Sequence, residues 1–109
     1  MNDRELLEAA AKAAGMDIVS DSKSDLGVFF ADDCLIKRLW NPLDDDGDAL
    51  RLMVSLAARH GPMLLALMED HVEFGDTATQ YSDEPLNGNP CAATRRAIVR
   101  AAAMIGGVK

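Results

Sequence analysis

The sequence has too little of most things from which metal, disulfide-bonded or membrane proteins are usually built. It holds two cysteines, Cys34 and Cys91, and two histidines, His60 and His71, all widely spaced. That number gives neither a disulfide framework nor the paired ligand spacing of a zinc site. No basic segment leads into an apolar one at the N-terminus, so both thiols are expected to stay reduced in a cytoplasmic protein. No apolar run approaches the roughly eighteen residues that would span a bilayer. Aromatic side chains are also scarce, being Phe29, Phe30, Trp40, Phe74 and Tyr81. A core must therefore be filled mainly by aliphatic residues, alanines and methionines. There is no glycine-rich phosphate loop and no serine-centred nucleophile elbow, and no cofactor is expected.

Positive charge is short as well. The chain carries eighteen carboxylates against eleven Lys and Arg, a net charge of -7. Such a balance opposes non-specific attachment to nucleic acid or to anionic membranes. The charge is unevenly spread: every carboxylate lies within residues 1–89, and the remainder contains only Arg95, Arg96, Arg100 and Lys109. At 109 residues the chain is long enough for one hydrophobic core and short for two, so residues 1–109 are read as a single domain.

What the chain does have is helical periodicity at both ends and in the middle. Asn2 is a fitting N-cap for a helix from about Asp3 to Ala14, with Glu5 at capping-box spacing. Leu6, Leu7, Ala10, Ala13 and Ala14 form its apolar stripe, and Gly15 stops it. A second helix starts at Asp45 or Asp46 and ends at His60-Gly61-Pro62, with Leu50, Met53, Val54 and Ala57 repeating along it and Leu52 and Leu56 broadening the apolar surface. A third begins at Asn89-Pro90 and runs to Gly106-Gly107, its inner face formed by Ile98, Ala101, Ala102 and Ile105.

Between the helices the pattern is shorter. Asp17 to Asp25 reads as loop apart from Ile18 and Val19. Leu26–Ala31 fits a short strand or a buried loop, Asp32-Asp33 interrupts, and Cys34–Leu39 fits a helical turn or a strand. Met63–Met68 has strand length, Glu69-Asp70 turns it, and His71-Val72-Glu73-Phe74 alternates as a half-buried strand does. That alternation places His71 on the exposed side. Thr77–Tyr81 makes a further strand. The expected fold is α+β, three helices packed on a small, mostly antiparallel sheet.

The candidate functional segment is Trp40-Asn41-Pro42-Leu43-Asp44-Asp45-Asp46-Gly47-Asp48. A calcium loop needs oxygen ligands at alternate positions, glycine at position six and glutamate at position twelve. Placing Gly47 at six puts Pro42 at one and Met53 at twelve, so that pattern fails at both ends. Magnesium needs fewer carboxylates, which leaves Asp44, Asp45, Asp46 and Asp48 open to a cation, against the plainer reading of helix capping. Trp40 reads as a core anchor or an interface hot spot. Arg95, Arg96 and Arg100 offer forked donors to phosphate or carboxylate, but no aromatic residue interleaves them and no helix-turn-helix pattern accompanies them. Ion pairing to the aspartates is the plainer expectation. Cys91, in the first turn of the last helix, reads as a packing cysteine.

The run Trp40-Asn41-Pro42-Leu43 with Asp45–Leu52, paired with Ala92-Ala93-Thr94-Arg95-Arg96-Ala97-Ile98-Val99-Arg100-Ala101-Ala102-Ala103, resembles small bacteriophage and prophage proteins that contain an alpha-beta-alpha (ABA) sandwich domain. The likeness reaches from the first helix to about Gly106 and departs most at Leu64–Met68. The resemblance implies a sandwich-like fold and a phage or prophage setting inside a bacterial host cell; it brings no activity and no catalytic residues.

The resulting expectation is a non-enzymatic accessory protein that binds a host or phage protein or associates with itself as a homodimer. The acidic Trp40–Asp48 edge and the basic Arg95–Arg100 edge are complementary enough to suggest it. An acidic DNA-mimic inhibitor of a host protein is one alternative. A divalent-cation-dependent phosphate-handling enzyme built on Asp44–Asp48 is another.

Overall fold

A computed structural model describes residues 3–15, 18–20, 29–33, 36–76 and 80–106. The elements run α1 (Asp3–Ala13), β1 (Ile18–Ser20), β2 (Phe29–Asp33), β3 (Ile36–Trp40), α2 (Asp46–His60), β4 (Met63–Leu67), β5 (His71–Asp76), β6 (Gln80–Pro85) and α3 (Pro90–Ile105). Among the described residues, three helices accompany two three-stranded antiparallel sheets, ordered β1-β2-β3 and β4-β5-β6. The fold is α+β, with two sheets where the sequence suggested one. No helix among the described residues is long and apolar enough to cross a membrane.

Alanine determines how the helices meet. α3 packs along α1 and against α2, and its other side lies on β5 and β6. Ala10 of α1 and Ala97, Ala101 and Ala102 of α3 are completely buried. Side chains this small let two backbones approach closely. The approach culminates at Gly106, where an added Cβ would run into the Ala9 carbonyl oxygen. Asn89 caps α3 by accepting from Ala92 N at 3.1 Å, and Pro90 occupies its first turn. At the far end of α1, Gly15 takes a left-handed φ of 67° and its N–H donates to the Lys12 carbonyl. His60 Nε2 then donates to Ala13 O at 2.9 Å, tying the last turn of α2 to the end of α1.

Three expectations need correction. In α2 the buried stripe is Ala49, Leu52 and Leu56, while Leu50 and Val54 are exposed. Both stripes are apolar at helical spacing, and packing against α3 fixes which one turns inward. Asp32 and Asp33 lie within β2 and do not interrupt it; of the two forms open to the segment that follows, Ile36–Trp40 takes the strand. The last strand begins at Gln80 and continues through Ser82, Asp83 and Glu84; Thr77–Thr79 of the expected strand lie outside the described residues. Its polar residues are accommodated because Ser82 Oγ donates to Ala97 O at 2.7 Å and the buried Glu84 meets Arg100. The Asn2 cap also lies outside the described residues.

The second sheet is fixed by a two-residue turn. Met68 N donates to His71 O across Glu69-Asp70. This sets Leu67 opposite Val72, Leu65 opposite Phe74 and Ala66 opposite Glu73. Val72 and Phe74 are fully buried, so their face of the sheet is the one that meets the helices.

Candidate functional site

The Trp40–Asp48 segment folds into a turn that is closed by its own side chains. Asn41 Oδ1 accepts from Leu43 N at 3.1 Å, and Asn41 O accepts from the amides of Asp44 and Asp45. Asp45 is the N-cap of α2: its Oδ2 accepts from Asp48 N at 2.8 Å. Asp48 reaches back, with Oδ2 accepting from Asn41 N at 2.9 Å and Oδ1 accepting from Arg51 Nη2 at 2.8 Å. Asp45 thus satisfies an orphan amide at the positive end of the helix, while Asp48, in the first turn, ties down the amide of Asn41 at the start of the turn. Trp40 and Asp48 are buried, at 1% and 4% exposure, whereas Asp44, Asp45 and Asp46 remain at the surface. Trp40 is therefore a core anchor, and its Nε1 has no hydrogen-bond partner among the described residues.

The three arginines of α3 are directed to three different carboxylates. Arg95 donates from Nε to Leu43 O at 2.8 Å and from Nη1 to Asp46 Oδ1, pinning the start of α2 to α3. Arg96 lies 3.5 Å from Asp3 on α1. Arg100 Nη1 lies 2.9 Å from the buried carboxylate of Glu84 on β6, as a contact of opposite charges without a hydrogen bond. The expected acidic and basic edges thus meet inside one chain, at the Asp46–Arg95 pair.

That pair borders a feature of different character. Between α2, β4 and the first turns of α3 lies an apolar groove of about 490 Å³, whose walls include Leu50, Met53, Leu65, Leu67, Met68 and Ile98. A volume of this order lies in the range of specific binding sites. Its origin is the register of the sheet. Leu65 and Leu67 lie opposite Phe74 and Val72, on the helix-facing side, yet β4 projects beyond the helices' cover and Leu67 is 68% exposed. Leu50, from the outer stripe of α2, supplies the facing wall and is 55% exposed. Cys91 is exposed at the groove's edge, not packed away, and no histidine is among the lining residues. The groove can therefore accept apolar surface; it has no thiol–imidazole pair for nucleophilic chemistry.

Sequence reasoning singled out the charged rim and missed the groove. Two signals for it were present. The apolar positions of α2 exceed one buried stripe, and Met63–Met68 carries no charged residue or proline.

On the outward face of the same sheet, β5 and β6 are polar. His71 and Glu73 project there from β5, and the register places Asp83 of β6 opposite Glu73. The His71 Nδ1–H donates to Asp70 Oδ1 at 2.6 Å. This bond raises the imidazole above its usual pKa; desolvation opposes it more than any single charge supports it, and the charges of Asp83, Asp70 and Glu73 add to the rise. The same bond lowers Asp70 below its usual value. At the far end of β5, Tyr81 donates its hydroxyl to Asp76 Oδ2 at 3.0 Å; that bond, then burial and the aspartate's charge, raises the phenol's pKa.

No family model, no curated protein and no solved structure matches the chain.

Proposed function

We propose that this chain is a non-enzymatic binding module that works by self-association, through the open edge of β4 and the apolar groove beside it. The observation that supports this reading is the exposure of Leu65 and Leu67 on the sheet face that should be covered. β4 is the outer strand in the order β4-β5-β6. Counting outward from the Met68–His71 hydrogen bond, the antiparallel alternation points the backbone N–H and C=O of Met63, Leu65 and Leu67 away from β5. An apolar edge strand with free backbone groups and no protecting charge or proline is a template for another strand. A second copy offers the same strand, and a two-fold axis lets β4 pair antiparallel with its equivalent while each groove receives the other's leucines.

The alternatives receive less support. The carboxylates of Asp45, Asp46 and Asp48 face amides and arginines of their own chain, which leaves little of an ion-binding constellation. A DNA mimic needs free acids in rows, and Asp48 and Glu84 are buried. Placing the module in a phage or prophage rests on the Trp40–Leu52 and Ala92–Ala103 motifs.

Sedimentation over a concentration series tests the self-association. A monomer–dimer equilibrium is expected, abolished by Leu67→Lys and by Leu65→Lys, and little changed by salt because the contact is apolar. A protein that stays monomeric at the highest concentration overturns the proposal. A dimer that dissolves in salt and survives both substitutions would instead implicate the charged rim.

A further inference from the structure

The outward face of the second sheet carries a set of side chains that neither the groove nor the helix packing uses. One ring nitrogen of His71 and one carboxylate oxygen each from Glu73 and Asp83 all lie within 4.8 Å of one another. We propose that these three residues bind a divalent transition ion of the zinc class, bridging β5 and β6.

The placement follows from strand geometry. His71 and Glu73 are two apart on β5, so both point to the face opposite Val72 and Phe74. The register sets Asp83 directly across from Glu73, which brings two carboxylates side by side. Like charges in directly opposed positions destabilise a sheet, and a shared cation removes that repulsion.

The ring of His71 is already oriented for the task. Its Nδ1–H is engaged by Asp70 at 2.6 Å, which leaves Nε2 facing Glu73, 3.8 Å from Oε2. A carboxylate behind the imidazole with a ligand-bearing nitrogen in front is the arrangement that fixes the tautomer of a metal-binding histidine and raises its basicity. His71 and Glu73 are both half-buried, so their facing atoms are partly shielded from solvent.

The donor set selects the ion. Imidazole with carboxylates suits zinc and its transition-metal neighbours, whereas magnesium and calcium favour all-oxygen shells. Bonds of about 2.1 Å put tetrahedral donors roughly 3.4 Å apart, a small rotation away from the present spacing. Three protein ligands leave at least one position for water. A count of cysteines and histidines misses such a site because carboxylates supply two of its three ligands.

The test is a titration of the untagged protein with ZnCl2 by calorimetry and with CoCl2 by visible absorption, repeated in Cys91→Ser to remove thiolate binding. One ion per chain is expected, with the absorption of low-coordinate Co2+. Asp83→Asn and His71→Gln should each weaken affinity at least about tenfold, and Asp70→Asn by roughly 10–100-fold if the outer carboxylate orients the ring. MgCl2 should not compete at millimolar concentration. Circular dichroism of each variant guards against loss of fold, and all three substitutions lie on the outward face or turn. The proposal is overturned by absence of saturable Zn2+ or Co2+ binding below about 1 mM. It is equally overturned by binding that survives His71→Gln and Asp83→Asn in folded protein. The readout is independent of self-association, since the groove lies on the other face.

Discussion

α2 and α3 are two helices of nearly equal length and similar apolar content that end in opposite situations. α3 is buried at seven positions and enclosed by α1, α2 and the second sheet; α2 buries one stripe and leaves Leu50 and Val54 exposed. The difference lies in side-chain size as much as in pattern. The alanines of α3 let neighbours close in from several directions, while the larger residues on the outer side of α2 stand over a groove that no described element fills. In this molecule α3 is the structural centre, and α2 with β4 is where apolar surface is still available to a partner.

Leu50 and Leu52 give the sharpest way to break that contrast. Leu52 is completely buried and Leu50 is 55% exposed, two positions apart on α2. Leu52→Ala should cost roughly 2–5 kcal/mol, the range for a large-to-small change in a packed core. Leu50→Ala should cost under about 1 kcal/mol in the monomer while weakening self-association. Urea denaturation at low protein concentration measures both. Equal losses would mean that the wrong face of α2 has been taken as the groove wall.

A smaller effect separates capping from cation binding in the acidic turn. Asp45→Ala removes the acceptor of Asp48 N and should cost about 1 kcal/mol, the usual worth of an N-cap. Because the loss comes from a backbone hydrogen bond, it should be the same with and without millimolar Mg2+. A cation-dependent loss would return the Asp44–Asp48 cluster to consideration as a ligand site.

The helices were legible in the sequence because periodicity, caps and stops agree: Asn89-Pro90 and Asp45 begin helices, and Gly15, Gly61 and Gly106 end them. The turn at Glu69-Asp70 and the alternation of His71–Phe74 were legible for the same reason. The face of α2 was not, since 49/52/56 and 50/53/54/57 both satisfy a helical period and only tertiary packing decides between them. β6 was misplaced because Ser82 and Glu84 look like loop residues until their partners Ala97 and Arg100, far along the chain, are known. The groove and the His71 set share that limit: each is made by strand register, which juxtaposes residues such as Glu73 and Asp83 that no local spacing connects.

The smallest expected effect concerns the polar face, and its sign follows from the Asp70–His71 bond. Folding raises His71 above 6.5, so its contribution is complete below that value and is lost as pH rises through the folded pKa. Folding lowers Asp70 below 3.8, so its contribution is present above that value and is lost as pH falls through the folded one. The pair therefore stabilises most between about pH 4 and 6.5. Both groups are near solvent, which keeps the effect small. The difference in urea midpoint between the native chain and Asp70→Asn should peak in that window and shrink on either side. By NMR, His71 should titrate above 6.5 in the native chain and lower in Asp70→Asn, where the largest cause of the rise is gone and desolvation still opposes the charges of Asp83 and Glu73. A flat difference across pH, or a His71 that titrates at or below 6.5, would show that the Asp70 bond does not hold the imidazole in solution.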